Sequence, residues 1–141
     1  MSHTNQDVIE RYFEAYGKHD MDGIRKVMAE NVTWYFEGDH PLAGEKNGVE
    51  EVVAFFDIMG GIMQKSNGKM EKLITAENDR YFIECQHSQT NRVDGNNLDH
   101  YTCVLWTIEN EKIIEGRHFF ANPAAVNKYF AAVAPKNTNV Q

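Results

Sequence analysis

Residues 31 to 56, NVTWYFEGDHPLAGEKNGVEEVVAFF, most constrain what this chain can fold into. An aromatic strand, Val32 to Phe36, runs through a polar turn and a glycine-punctuated loop into a helix. That helix carries Val49, Val52, Val53 and Phe56 on one stripe. The segment predicts a fold built around a pocket.

Two helical stretches precede it. Val8, Ile9, Tyr12, Phe13 and Tyr16 form one apolar stripe behind Thr4-Asn5-Gln6-Asp7, a capping-box-like start, and Gly17 is placed to end that helix. Asp20 can cap a second helix with Ile24, Val27 and Met28 on one side. Gly60-Gly61 should loosen the third helix, although Met59 and Met63 are spaced to extend it. From Lys69 the apolar period becomes two, with Asn67-Gly68, Asp94-Gly95 and Asn110-Glu111 as turn candidates. This reads as an antiparallel meander. Asn122-Pro123 then starts a final helix bearing Val126, Tyr129, Phe130 and Val133. No repeat or linker divides residues 1–141, so one domain is predicted, with a frayed tail over 135–141.

Fourteen Lys plus Arg against twenty-one Asp plus Glu give a net charge of −7. Such a balance repels phosphate backbones and anionic lipid, which argues against nucleic acid and membrane as partners. No stretch approaches the roughly 20 apolar residues of a membrane span, and MSHTNQDVIE lacks a signal-peptide pattern. A cytoplasmic protein is expected. Cys85 and Cys103 are then read as reduced thiols.

On the last strand the even positions Ile114, Gly116, His118 and Phe120 lack a formal charge and should face inward. On the strand from Arg80 to Arg92 the odd positions Tyr81, Ile83, Cys85, His87 and Gln89 are the more apolar. The strand between, Leu98 to Ile108, is apolar on both faces, so hairpin register has to decide. A two-residue loop at Asn110-Glu111 puts Cys103 opposite His118, and a five-residue loop over 93–97 puts Cys103 opposite His87. The expected result is a row of His87, Cys103 and His118 across three strands, close enough to act on one molecule. Thr102, Val104 and Trp106 would then face outward, a surface that argues for a homodimer through the sheet.

Within such a pocket, His118 is the first catalytic candidate, as general base or acid near neutral pH, with His87 beside it and Tyr12 offering a hydroxyl. Trp34, Phe36, Phe56, Leu105 and Phe120 would form the walls, with Cys85 and Cys103 on the same face. Tyr16 offers a second hydroxyl, and His40 lies in the turn before Pro41, where HPLAG resembles a loop that rims the pocket mouth in a known superfamily and so implies ligand contact. Each has a plainer reading, as core filling for the aromatics or as a histidine bonded to backbone. A zinc site from His87, Cys103 and His118 is set aside, because a flat row lacks a fourth ligand and a tetrahedral arrangement.

The order of elements, with ERYFEAYGKHD, VTWYF, HPLAG followed by Gly48, and KIIEGRHFF, resembles the nuclear-transport-factor-2-like superfamily of ketosteroid isomerases, SnoaL-type polyketide cyclases and limonene epoxide hydrolases. The resemblance implies an α+β cone, with a curved antiparallel sheet wrapped around N-terminal helices and a short C-terminal helix. It also implies a small, largely apolar ligand, association through the sheet and no cofactor. Tyr12 stands where the isomerases keep an oxyanion-hole tyrosine. Phe36 and Cys103 occupy the places of their two carboxylates. The epoxide hydrolases' two aspartates and arginine correspond to His87, Cys85 and His118, and the acidic residue of the cyclases to His118 or Asn122. The implied reaction is therefore proton transfer next to a carbonyl, as in isomerisation or cyclisation, run on imidazole. The alternative is a non-catalytic binding or association module of the same fold.

Overall fold

The computed structural model describes residues 4–135. The chain forms helices α1 (Asn5–Gly17) and α2 (Met21–Val27), strands β1 (Met28–Phe36) and β2 (Gly44–Asn47), and helix α3 (Val49–Met63). Strands β3 (Lys65–Ala76), β4 (Tyr81–Asn91), β5 (Asp99–Glu109) and β6 (Lys112–Phe120) follow, and α4 (Pro123–Val133) closes the order. Most of the tail expected to fray, 136–141, lies outside the described residues.

The helices start where side chains can take up orphan backbone donors. Thr4 and Asp7 make a reciprocal capping box at 3.1 Å each way, Asp20 accepts from the Gly23 amide, and Asn122 accepts from the Ala125 amide ahead of Pro123. Each such cap is worth about 1 kcal/mol. The start of α3 is different. Gly48 takes φ +88°, where a side chain would be strained, and its amide donates to the Val32 carbonyl at 2.8 Å, tying the helix to β1.

The six strands form a curved, unclosed sheet in the order β2-β1-β6-β5-β4-β3. Among these six strands β1 and β6 pair with each other in parallel, so the first long strand lies beside the last. Residues 44–47, read from sequence as loop, are the edge strand β2. The Asn67-Gly68 dipeptide is not a turn but an interior part of β3, which reverses instead through Glu77, Asn78 and Asp79 in left-handed conformations. Asn110 and Glu111 do form a two-residue turn, both with positive φ.

The two registers on which the row of candidates depended are different from those expected. In β4–β5 the pairing slips by two, so that Cys103 faces Cys85 and His87 faces Tyr101. In β5–β6, Glu109 pairs with Lys112 as expected, but a bulge at Thr107/Ile108 then moves the pairing by one, setting Cys103 against Phe119 and His118 against Val104. A shift of one exchanges the faces. The even positions Phe82, Glu84, Ser88, His100, Thr102, Val104 and Trp106 are therefore the buried ones, together with Trp34 and Phe36 of β1. Thr102, Val104 and Trp106 point inward, which removes the argument for a dimer built on their exposure.

Aromatic rings fill the space between this inner face and the helices. Tyr12 lies 4.8 Å from Trp106 and 5.5 Å from Phe56, and Trp34 lies 5.1 Å from Trp106. Gly116 makes that packing possible, since a Cβ there would stand 2.1 Å from the Trp34 ring. Burial of these large side chains supplies about 25 cal/mol per Å² of apolar surface removed from water.

Candidate functional site

At the open end of the inner face a cavity of about 620 Å³ lies between the C-terminal ends of α1 and α3 and the strands β3 to β6. Phe13, Met59, Met63 and Phe130 are among its apolar walls, and its polar groups include Tyr16, Gln64, Gln86, Ser88, Thr102, His100 and His118. The combination of apolar wall and a few convergent polar groups is the usual form of a small-molecule site. At the mouth, His19 is held in a left-handed conformation and hydrogen-bonded to Asp57 across 2.8 Å.

His118 reaches this wall from β6 because the bulge turns it inward. Its ring packs edge-on against Trp34 and Phe36 and roughly parallel to Phe120, at centroid distances of 5.0–5.8 Å. Neither ring nitrogen has a hydrogen-bond partner, and both are shielded from solvent. Burial, and secondarily the positive charge that His100 would carry, lowers its pKa from 6.5 to about 3. The ring is a neutral imidazole at any ordinary pH, with one donor and one acceptor unused.

His100 sits on β5, only 7% exposed, with Nδ1 unpartnered. Its pKa also falls, chiefly through burial, while a hydrogen bond to the Ser88 backbone opposes the shift. The shift favours the neutral ring, with Nδ1 left without a partner. Tyr16 lines the cavity from α1 and stacks on Tyr12 at 5.9 Å; burial raises its pKa to about 12, so it remains a phenol.

Behind the wall lies Glu84, 1% exposed, with neither carboxylate oxygen hydrogen-bonded. Burial raises its pKa to about 7, and the nearby Trp106 Nε1 favours the anion without reaching hydrogen-bond geometry. Glu84 also helps raise the Tyr12 pKa, after burial and Tyr16. An inward carboxyl therefore exists, contrary to the expectation that the interior relies on imidazole alone.

The residues singled out from sequence divide into three groups. His118, Tyr16, Phe36 and Phe120 line the cavity. Tyr12, Trp34 and Phe56 are buried in the aromatic core beside it. His40 packs between Phe36 and Phe130 and accepts from the Leu42 amide, outside the cavity lining. His87, Cys85, Cys103 and Leu105 lie on the other side of the sheet, so their assignment to the pocket is incorrect. There His87 stacks on Tyr101 at 4.4 Å and bonds Asp99 at 2.5 Å.

Sequence reasoning missed His100 and Glu84. Glu84 stands at an even position of a strand whose odd positions are the more apolar, and His100 at an even position of a strand apolar on both faces, so a shared parity with His118 through the bulge is the signal that could have found them. Among the described residues no cluster of three or more His, Cys, Asp or Glu could hold a metal ion.

The sequence pattern of the SnoaL-like domain matches residues 9–116. An uncharacterized protein of Mycobacterium tuberculosis is 27% identical over 128 residues, covering 89% of this chain and 95% of its own length. Bal32a, from a soil-derived mobile gene cassette, superposes with a TM-score of 0.82 at 23% identity, over 90% of this chain and 96% of that one. A nuclear-transport-factor-2-like protein of unknown function from Burkholderia pseudomallei gives 0.78 at 20% identity, over 92% and 98%. At such identities the two solved structures establish a shared fold.

Proposed function

The chain belongs to the SnoaL-like domain family, with a nuclear-transport-factor-2-like fold, and from that premise we propose that it binds a small, neutral, largely apolar carbonyl compound and moves a proton on it. The observation that supports this is the set of unpartnered imidazole nitrogens, both of His118 and Nδ1 of His100, buried at the wall of a cavity of about 620 Å³. Buried polar atoms left unpaired cost about 1–3 kcal/mol each, a cost that a bound oxygen would relieve.

The two rings take different parts. His118, with its depressed pKa, is a poor base and a good hydrogen-bond donor, suited to a carbonyl oxygen as negative charge develops there. Tyr16 adds a phenolic donor. His100, with its lone pair at Nδ1, takes the proton from the adjacent carbon and returns it to another position, which is an isomerisation with no net proton change. Every participant is neutral before reaction, which suits an apolar substrate. The shielding of His118 favours a second reading, a ligand-binding module without turnover.

Ligand-shift melts against a library of ketones, followed by proton–deuterium exchange of the bound ketone in heavy water, separate the two. Wild type should promote exchange, His100→Gln should lose it by about a hundredfold or more while still binding, and His118→Gln should weaken binding and exchange together. Binding without exchange in wild type selects the module. Melts that no carbonyl compound moves, in wild type or either variant, overturn the reading.

A further inference from the structure

The outer face of the sheet holds two thiols against each other. Cys85 of β4 and Cys103 of β5 are directly opposite, and Cys103 Sγ donates to Cys85 Sγ across 2.9 Å. Opposed residues of antiparallel strands have Cα atoms about 4.5–5.5 Å apart, within the roughly 4.4–6.8 Å that a disulfide spans. Sulfurs bond at about 2.05 Å, so closure needs under about 1 Å of movement, available to two side-chain torsions. Both cysteines are free and only half-buried, so a small reagent has access.

The surroundings make the two sulfurs unequal. Lys72 of β3 stands opposite Cys85 on the side away from Cys103. Cys85 therefore has the strand position of Lys72 on one flank and the Cys103 S–H donor on the other. Cys103 is flanked instead by Phe119. The hydrogen bond to Cys85, followed by burial, raises its pKa to about 11, so it keeps its proton until its partner has reacted.

We propose that Cys85 and Cys103 are a redox-active dithiol that exchanges with low-molecular-weight disulfides, Cys85 attacking and Cys103 resolving. The Cys85 thiolate attacks one sulfur of the small disulfide, whose S–S bond breaks and releases one small thiol. Cys103 then gives up its proton and attacks the Cys85 sulfur of the mixed disulfide, releasing the second small thiol. Two protein thiols and one small disulfide become one protein disulfide and two small thiols, with no further oxidant. This chemistry is independent of the cavity and of what it binds.

The test uses the full-length reduced protein with oxidised glutathione, read by thiol titration and intact mass, with circular dichroism to confirm that each variant is folded. Wild type should lose both thiols, fall in mass by two hydrogens and retain no glutathione. Cys103→Ser should accumulate one glutathione adduct on Cys85, and Cys85→Ser should react about tenfold slower or less. The proposal is overturned if the folded wild type keeps both thiols, if it holds two glutathiones, or if its new disulfide joins two chains on a non-reducing gel. Faster reaction at Cys103 than at Cys85 overturns the assigned order.

Discussion

The two faces of one sheet treat their histidines differently. On the outer face, His87 is stacked on Tyr101 and bonded to Asp99, and Arg117 lies over Tyr35 while it pairs with Glu37. Polar groups there compensate one another. On the inner face, His118, His100 and Glu84 are buried with atoms that nothing in the chain pairs, although burial makes each unpaired atom more costly. Unpaired groups where they cost most, beside paired ones where water would serve, are what the proposed ligand binding at the inner set would account for.

The contrast depends on which positions face inward, and stability measurements test that first. Trp106→Ala should cost about 3–5 kcal/mol in denaturant unfolding, whereas the adjacent Leu105→Ala, on the half-buried outer side, should cost about 1 kcal/mol. Equal or reversed losses would mean that the register of β5 is wrong.

Titration gives the next largest effects, with opposite signs. Glu84 has its folded pKa raised from 4.5 to about 7, so the unfolded chain loses this proton first and stability falls as pH rises from about 4.5 to 7. Glu84→Gln should remove about 3 kcal/mol of that decline. His118 has its folded pKa lowered from 6.5 to about 3, so the unfolded chain gains a proton that the folded one refuses and stability falls as pH drops below 6.5. His118→Gln should remove about 2 kcal/mol of the loss between pH 7 and pH 5. Stability curves parallel to wild type would show that these groups are solvated and that the inner face is not exceptional.

The smallest effect belongs to the outer face. His87→Ala should change stability by less than about 1 kcal/mol at pH 7, because its partner Asp99 is largely exposed and water replaces the lost bond. A larger loss would place His87 among the groups the fold depends on.

Local chemistry made the helices legible. Thr4, Asp20 and Asn122 announce their caps, and the apolar stripes behind them need only a period of 3.6. The site was less legible because it depends on registers. The loop after β4 is held by Asn97, which accepts from the Arg92 amide and Thr90, and by an Arg92–Asp94 pair, contacts that a count of loop residues cannot anticipate. The bulge in β6 lies beside Gly116, over which Trp34 seats, a contact between residues 82 positions apart in sequence. Charge also misleads: a carboxylate is rarely buried unpaired, so the even positions of β4 read as a surface face although Glu84 is 1% exposed.

The parallel pairing of β1 with β6 also bears on the order of assembly. Trp34 meets its partner Gly116 only after the 81 residues between them have been made, and before then the side of β1 that takes β6 is unpaired, since β2 lies on the other side. During synthesis on the ribosome, an aromatic strand edge therefore waits exposed while everything between is translated, a non-local closure of the kind that folds slowly and invites chance pairing with other chains. The hollow is finished by β6, so a nascent chain stopped short of residue 112 lacks the His118 wall and leaves strand edges unpaired.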